Sequence, residues 1–126
     1  MKIENIKFKA KRLDGKGWAI GDLIHSYENG AIIVPIEGDG AFSVDPDTIC
    51  QFTGLKDCKG NELYEHDVIK NYPFIPSEIV WSEELTGYHL THAKGKIYEK
   101  PLCYYLSLGK FIVVGNTYEN TNRIER

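Results

Sequence analysis

Alternation constrains this chain more than any other feature. Ile6, Phe8 and Ala10 stand at every second position, with Lys7, Lys9 and Lys11 between them. Successive side chains of an extended backbone point to opposite faces. The spacing therefore predicts a half-buried strand within residues 2–12, with a basic solvent face. A helix of ordinary length needs apolar residues recurring at three and four positions, and no long stretch keeps that pattern. The expected fold is mainly β, with few short helical turns.

Turn chemistry divides the rest of the N-terminal half. Asp14-Gly15-Lys16-Gly17, Glu28-Asn29-Gly30 and Glu37-Gly38-Asp39-Gly40 each read as turns. Asn29-Gly30 suits the positive φ of a type I′ hairpin. Strands are expected at 18–27, 31–36 and 41–44, with Trp18, Ile20 and Leu23 facing inward. Pro35 lacks a backbone N–H, which places it at the edge or the end of its strand. Asp45-Pro46-Asp47 opens a loop, residues 48–52 are extended, and Lys59-Gly60-Asn61 turns again. Glu65-His66-Asp67 is a tight acidic turn that feeds Val68-Ile69-Lys70, read as the first strand of a small barrel. Further strands are expected at 78–81, 88–91 and 111–114. Residues 101–108 fit neither the helical nor the strand period.

The 126 residues, 42% of them hydrophobic, suit one compact domain or a small domain with a packed extension. Fifteen Lys and Arg against 18 Asp and Glu give a net charge of −3, so no overall basic bias favours a phosphate backbone. Cys50, Cys58 and Cys103 are odd in number and form no CxxC pair, which predicts reduced thiols. The first ten residues lack a signal-peptide core, and no apolar run is long enough to span a membrane. These features predict a cytoplasmic protein.

Motifs that carry chemistry are weak. His89 and His92 form His-x-x-His, but a strand points the two imidazoles to opposite faces, so two surface histidines are expected rather than a zinc site. No local signature joins a cysteine to a histidine for nucleophilic catalysis. The carboxylate pairs Asp45/Asp47 and Glu83/Glu84 sit in loops, where acids are solvated. No phosphate-binding loop is present. No catalytic residue, metal or cofactor is assigned, and an enzyme is not expected.

Two binding classes remain. Eight tyrosines, two tryptophans and the segment Tyr72-Pro73-Phe74-Ile75-Pro76 are side chains that interfaces favour. A small β domain also tends to cover its edge strands by self-association or by gripping another protein. A self-associating protein-interaction module is the leading reading. The alternative is nucleic-acid binding, through a ridge of Lys7, Lys9, Lys11 and Arg12 and a second of Lys94, Lys96 and Lys100 beside Tyr98, Tyr104 and Tyr105.

One block is denser than these generic signals. It runs from Val44-Asp45-Pro46-Asp47-Thr48-Ile49-Cys50 through Gln51-Phe52-Thr53-Gly54-Leu55-Lys56-Asp57 to Leu63-Tyr64-Glu65-His66-Asp67-Val68-Ile69-Lys70. Val114-Gly115-Asn116-Thr117-Tyr118-Glu119-Asn120 follows near the end. Together they resemble the YopX family of phage and prophage proteins, a family without an established biochemical function. The resemblance implies a C-terminal SH3-like barrel, starting near Asp67 and closing with a strand at 112–114. It also implies a β-rich N-terminal part over 1–60, the barrel part over 61–126, and an accessory role in a bacterial host cell. The family's Tyr-Glu-Gly-Asp stretch carries His66 here in place of glycine. If that position needs positive φ, His66 bears a strain that glycine would not. Gly54 and Gly60 read as turn positions, and Asp57 and Asp67 as side-chain caps of turns. Phe52, Leu55, Leu63, Tyr64, Val68 and Ile69 read as core. The signatures bracket the barrel, so Tyr64, Glu65, His66, Asp67, Asn116 and Tyr118 form the candidate binding surface.

Overall fold

The computed structural model describes residues 1–71, 75–92 and 95–119. It is mainly antiparallel β and divides into two compact units, Met1–Phe52 and Thr53–Arg126.

The first unit is a meander. β1 (Phe8–Lys11), β2 (Trp18–His25), β3 (Ala31–Pro35) and β4 (Phe42–Val44) are followed by the start of β5 (Cys50–Lys56). They lie in the order β4-β3-β2-β1-β5, so consecutive strands are neighbours until the chain crosses to pair β5 with β1. The register places Phe8 opposite Gly21, Lys9 opposite Ile20, Ala10 opposite Ala19 and Lys11 opposite Trp18. Directly opposed residues share a face. One face therefore carries Phe8, Ala10, Ala19, Leu23 and Ile33, which with Ala31 and Val44 form the core of this unit. The other carries Lys9, Lys11, Trp18 and Ile20.

This corrects the expected facing of β2. Leu23 packs against the core, but Ile20 is 47% exposed and Trp18 lies beside the lysines. The register with β1 turns Trp18 and Ile20 outward and Ala19 and Gly21 inward, and at Gly21 the chains approach closely. A Cβ on Gly21 would stand 2.1 Å from the backbone oxygen of Val34. Pro35, opposite Gly21, is the last residue of its strand, as its missing donor requires.

The β2–β3 turn also differs from expectation. Its positive φ values fall on Glu28 (57°) and Asn29 (64°), one residue earlier than Asn29-Gly30. Gly30 donates to the Tyr27 carbonyl at 3.1 Å, and a Cβ there would stand 2.5 Å from Ser26 Oγ. Glycine serves close approach here, not the turn's left-handed centre.

In the second unit, the later part of β5 lies beside β6 (Glu62–Tyr64). β7 (Asp67–Lys70), β8 (Ser77–Ser82), β9 (Gly87–Thr91) and β10 (Ile112–Asn116) form a second sheet in the order β10-β7-β8-β9. Among the described residues this sheet is not closed into a barrel. Leu63, Ile69, Ile79, Leu90, Leu102 and Phe111 are its buried core, with Leu55 packed against them. Full burial of each such side chain stabilises by about 1.5–3 kcal/mol.

Residues 102–108 form the α-helix among the described residues, α1 (Leu102–Leu108), entered from the extended Pro101. Leu102, Tyr105 and Leu106 lie three and four apart and face the core. A seven-residue helix shows one such set, too little for a period to be read from sequence.

Candidate functional site

A buried polar network in the second unit joins the two signature segments. The chain leaves β6 at Tyr64, turns through Glu65 and His66, and enters β7 at Asp67. Asp67 is 2% exposed, and its Oδ2 accepts the Tyr64 N–H at 2.8 Å, which closes the turn. Its Oδ1 accepts the side-chain amide of Asn116 at 2.9 Å. Asn116, 1% exposed, accepts the Tyr118 N–H at 2.9 Å on its own Oδ1.

Asn116 reaches Asp67 because β10 is irregular. Val113 pairs with Ile69 and Gly115 with Val68, so Val114 is an extra residue. The bulge shifts the register by one and brings Asn116 opposite Asp67.

His66 clasps the outside of the same turn. Its N–H donates to the Ile79 carbonyl at 2.7 Å and its carbonyl accepts from Thr117 N–H at 3.0 Å. Its φ is +72°, so the backbone adopts the conformation that glycine would take without strain. Nδ1 lies 2.8 Å from Glu78 Oε2, Nε2 lies 3.6 Å from Glu65 Oε2, and the ring meets Tyr118 edge-on at 5.0 Å. The hydrogen bond to Glu78 raises the imidazole pKa, against the opposing effect of burial; Glu65 and Asp67 add to the rise. Burial pushes the Tyr88 hydroxyl up to about 12, helped by Glu65.

A second pin stands nearby in sequence. Asp57 Oδ1 accepts Lys59 N–H at 2.9 Å and Asn61 N–H at 2.8 Å. Its Oδ2 accepts the Asn61 amide and, from β10, the Val113 N–H, both at 3.0 Å. Burial alone would raise its pKa, but these donors outweigh burial and hold it below the usual carboxylate value. Asp57 and Asp67 are thus the side-chain caps their turns call for.

Of the six candidate surface residues, Tyr64, Asp67 and Asn116 are buried, and Glu65, His66 and Tyr118 are half-buried around them. The structure brings all six together, but as a clasp of turns. Both ring nitrogens of His66 face carboxylates.

The basic ridge divides. Lys7 lies over the Phe52 ring at 4.8 Å, and Lys9 and Lys11 lie over Trp18 at 4.9 and 6.0 Å. Arg12 takes the other face, with its guanidinium over Phe42 at 3.9 Å and an ion pair to Asp14. Strand alternation separates it from the lysines. In the second ridge, Lys94 is outside the described residues, as are residues 72–74 of the aromatic loop. Lys96 is exposed, and Lys100 lies 5.7 Å from the Tyr104 ring. Tyr98 and Tyr105 pack against the core.

His89 is 4% exposed, not a surface histidine; its Nδ1 lies 2.9 Å from the Tyr98 carbonyl. Among the described residues no group of three or more His, Cys, Asp or Glu is placed to hold a metal ion. Cys50, Cys58 and Cys103 are unbridged thiols. No helix among the described residues is long and apolar enough to cross a membrane.

The exposed apolar residues of the first unit were missed at the sequence level. Ile20, Ile24 and Ile36 are 47%, 48% and 59% exposed, and Tyr27 is 96% exposed. Period-two reading of β2 marks Ile20 and Ile24 as one row. Their outward facing depended on the register with β1.

These features define a mainly antiparallel β protein whose most distinctive residues pin turns. The sequence matches the family described as YopX protein over residues 7–125, nearly its whole length, and the chain belongs to the YopX family. No curated protein matches it significantly.

Proposed function

We propose that this chain is a non-enzymatic protein-interaction module that self-associates, acting as an accessory protein of phage or prophage type in the bacterial cytoplasm. The observation that carries this reading is the exposure of Ile20, Ile24 and Ile36 in the first unit. Large apolar side chains grouped on one stiff surface are the usual mark of an interface. The buried state of Tyr64, Asp67 and Asn116 supports a structural role for the signatures, leaving the contact surface elsewhere. For the C-terminal unit we favour an SH3-like barrel. Leu55 and Leu63 of the β5–β6 pair pack on the same core as Ile69, Ile79 and Leu90 of the second sheet, as two walls of a small barrel would.

Sedimentation equilibrium over a hundredfold range of protein concentration tests the reading. A mass that rises with concentration to a defined oligomer is expected. A monomer throughout removes self-association.

Lys7, Lys9 and Lys11 on one sheet face favour a second reading, binding of a nucleic-acid strand. Its affinity would fall steeply with salt, whereas an apolar interface would hold.

A further inference from the structure

One hollow in the second unit combines aromatic rings with a buried hydroxyl. Its volume is about 230 Å³, and Ser77, Leu90, Tyr98, Tyr105, Leu108 and Phe111 line it. Leu90 and Phe111 belong to the buried core, whereas Leu108 is 62% exposed, so the hollow runs from the core to solvent. The Tyr98 and Tyr105 rings lie 5.4 Å apart at 49°, and Tyr105 meets Tyr104 edge-on at 5.2 Å. These contacts hold the rings of the lining against one another, across α1 and the segment before it.

Ser77 differs from its neighbours. It is 3% exposed, at the start of β8. Among the described residues its hydroxyl makes one hydrogen bond, a donation to the Ile75 carbonyl at 3.4 Å. That is longer than the roughly 2.5–3.0 Å usual for a hydroxyl donor. No donor among the described residues reaches its oxygen, so the acceptor lone pairs are open. A buried polar atom in apolar surroundings gains from a partner.

We propose that this hollow is a binding site for a small neutral aromatic molecule that carries one hydrogen-bond donor, a phenol in the simplest case. The ring packs against Tyr98, Tyr105 and Phe111, where offset or edge-on ring contacts add to the burial of area. The phenolic O–H donates to Ser77 Oγ. The scale fits, since a cavity of about 150 Å³ already takes benzene and the remainder admits substituents. No charged residue is among the lining residues described, which favours a neutral ligand. This site is independent of the self-association proposed above.

The test uses p-cresol and toluene, which differ by the phenolic hydroxyl alone. Each is titrated into the full chain, with calorimetry giving Kd and methyl NMR spectra giving the location. We expect p-cresol to shift the methyl signals of Leu90 and Leu108, to leave those of Ile24 in place, and to bind at least tenfold more tightly than toluene. Ser77→Ala, its fold confirmed by circular dichroism, should bring the two within threefold of each other and leave toluene affinity unchanged. Absence of any Leu90 or Leu108 shift at millimolar p-cresol overturns the site. Wild type that binds both molecules equally overturns the donor requirement, whatever Ser77→Ala does.

Discussion

The side-chain amide of Asn116 donates to the buried carboxylate of Asp67 at 2.9 Å, joining residues 49 positions apart. The pair ties the start of β7 to the end of β10 and in doing so fixes the edge of the second sheet. Each of the two signature segments supplies one half of it.

Removing either partner strands the other. Asp67→Ala leaves the Tyr64 N–H and the Asn116 amide without this acceptor in a buried site, and we expect a loss of about 3 kcal/mol. Asn116→Ala should cost about 2 kcal/mol. Urea unfolding of both singles and the double should give a coupling of about 1–2 kcal/mol. Additive losses would show that the pair does not act as a unit.

His66 makes stability depend on pH in a known direction. Its folded pKa is raised above the ordinary 6.5, so its contribution is complete below that value. It is lost as pH rises through the folded pKa. His66→Gly removes the imidazole and also relieves a positive-φ strain of about 1 kcal/mol. The variant should therefore melt below wild type at pH 5.5, and the gap should shrink or reverse by pH 8.5. Parallel melting curves across that range would contradict the clasp.

Asp57 works in the opposite sense. Its folded pKa is depressed, so its contribution is present above the ordinary 3.8 and disappears as pH falls through the folded value. Wild type should lose stability on acidification below about pH 4 more steeply than Asp57→Asn. The asparagine keeps an acceptor but gains an N–H among four donors, so it should start about 2 kcal/mol less stable at neutral pH. Acid titration followed by circular dichroism measures both.

Gly21→Ala tests the close approach of β2 and β3. The added methyl meets the Val34 carbonyl, and the sheet has to shift to admit it. A loss of about 2–3 kcal/mol is expected, near the upper end for overpacking. A near-neutral effect would mean that the strands lie further apart.

How far the sequence foretold these relationships varies by residue. Alternation at Phe8 and Ala10, the turn at Gly60 and the capping roles of Asp57 and Asp67 were legible, because each depends on local geometry. Gly54, read as a turn position, has its positive φ inside β5 instead. His66 was legible as a conditional: a residue in glycine's place is strained only if φ is positive, and it is. The facing of Trp18 and Ile20 was not legible, since their partners Lys11 and Lys9 set it across the sheet. Arg12 read as part of the lysine ridge because proximity in sequence hid a change of face. The contact between Asn116 and Asp67 needed the extra residue Val114, which a periodic reading of β10 does not reveal. The division between buried clasp and exposed isoleucines is likewise a product of pairing.

One comparison tests the account most directly: sedimentation equilibrium of wild type, Ile24→Glu and Asn116→Ala under the same conditions. The account predicts a dimeric wild type, a monomeric but folded Ile24→Glu, and an Asn116→Ala that melts lower yet still dimerises. A dimer lost in Asn116→Ala while folded, and kept in Ile24→Glu, would contradict it by moving the contact surface to the signature residues.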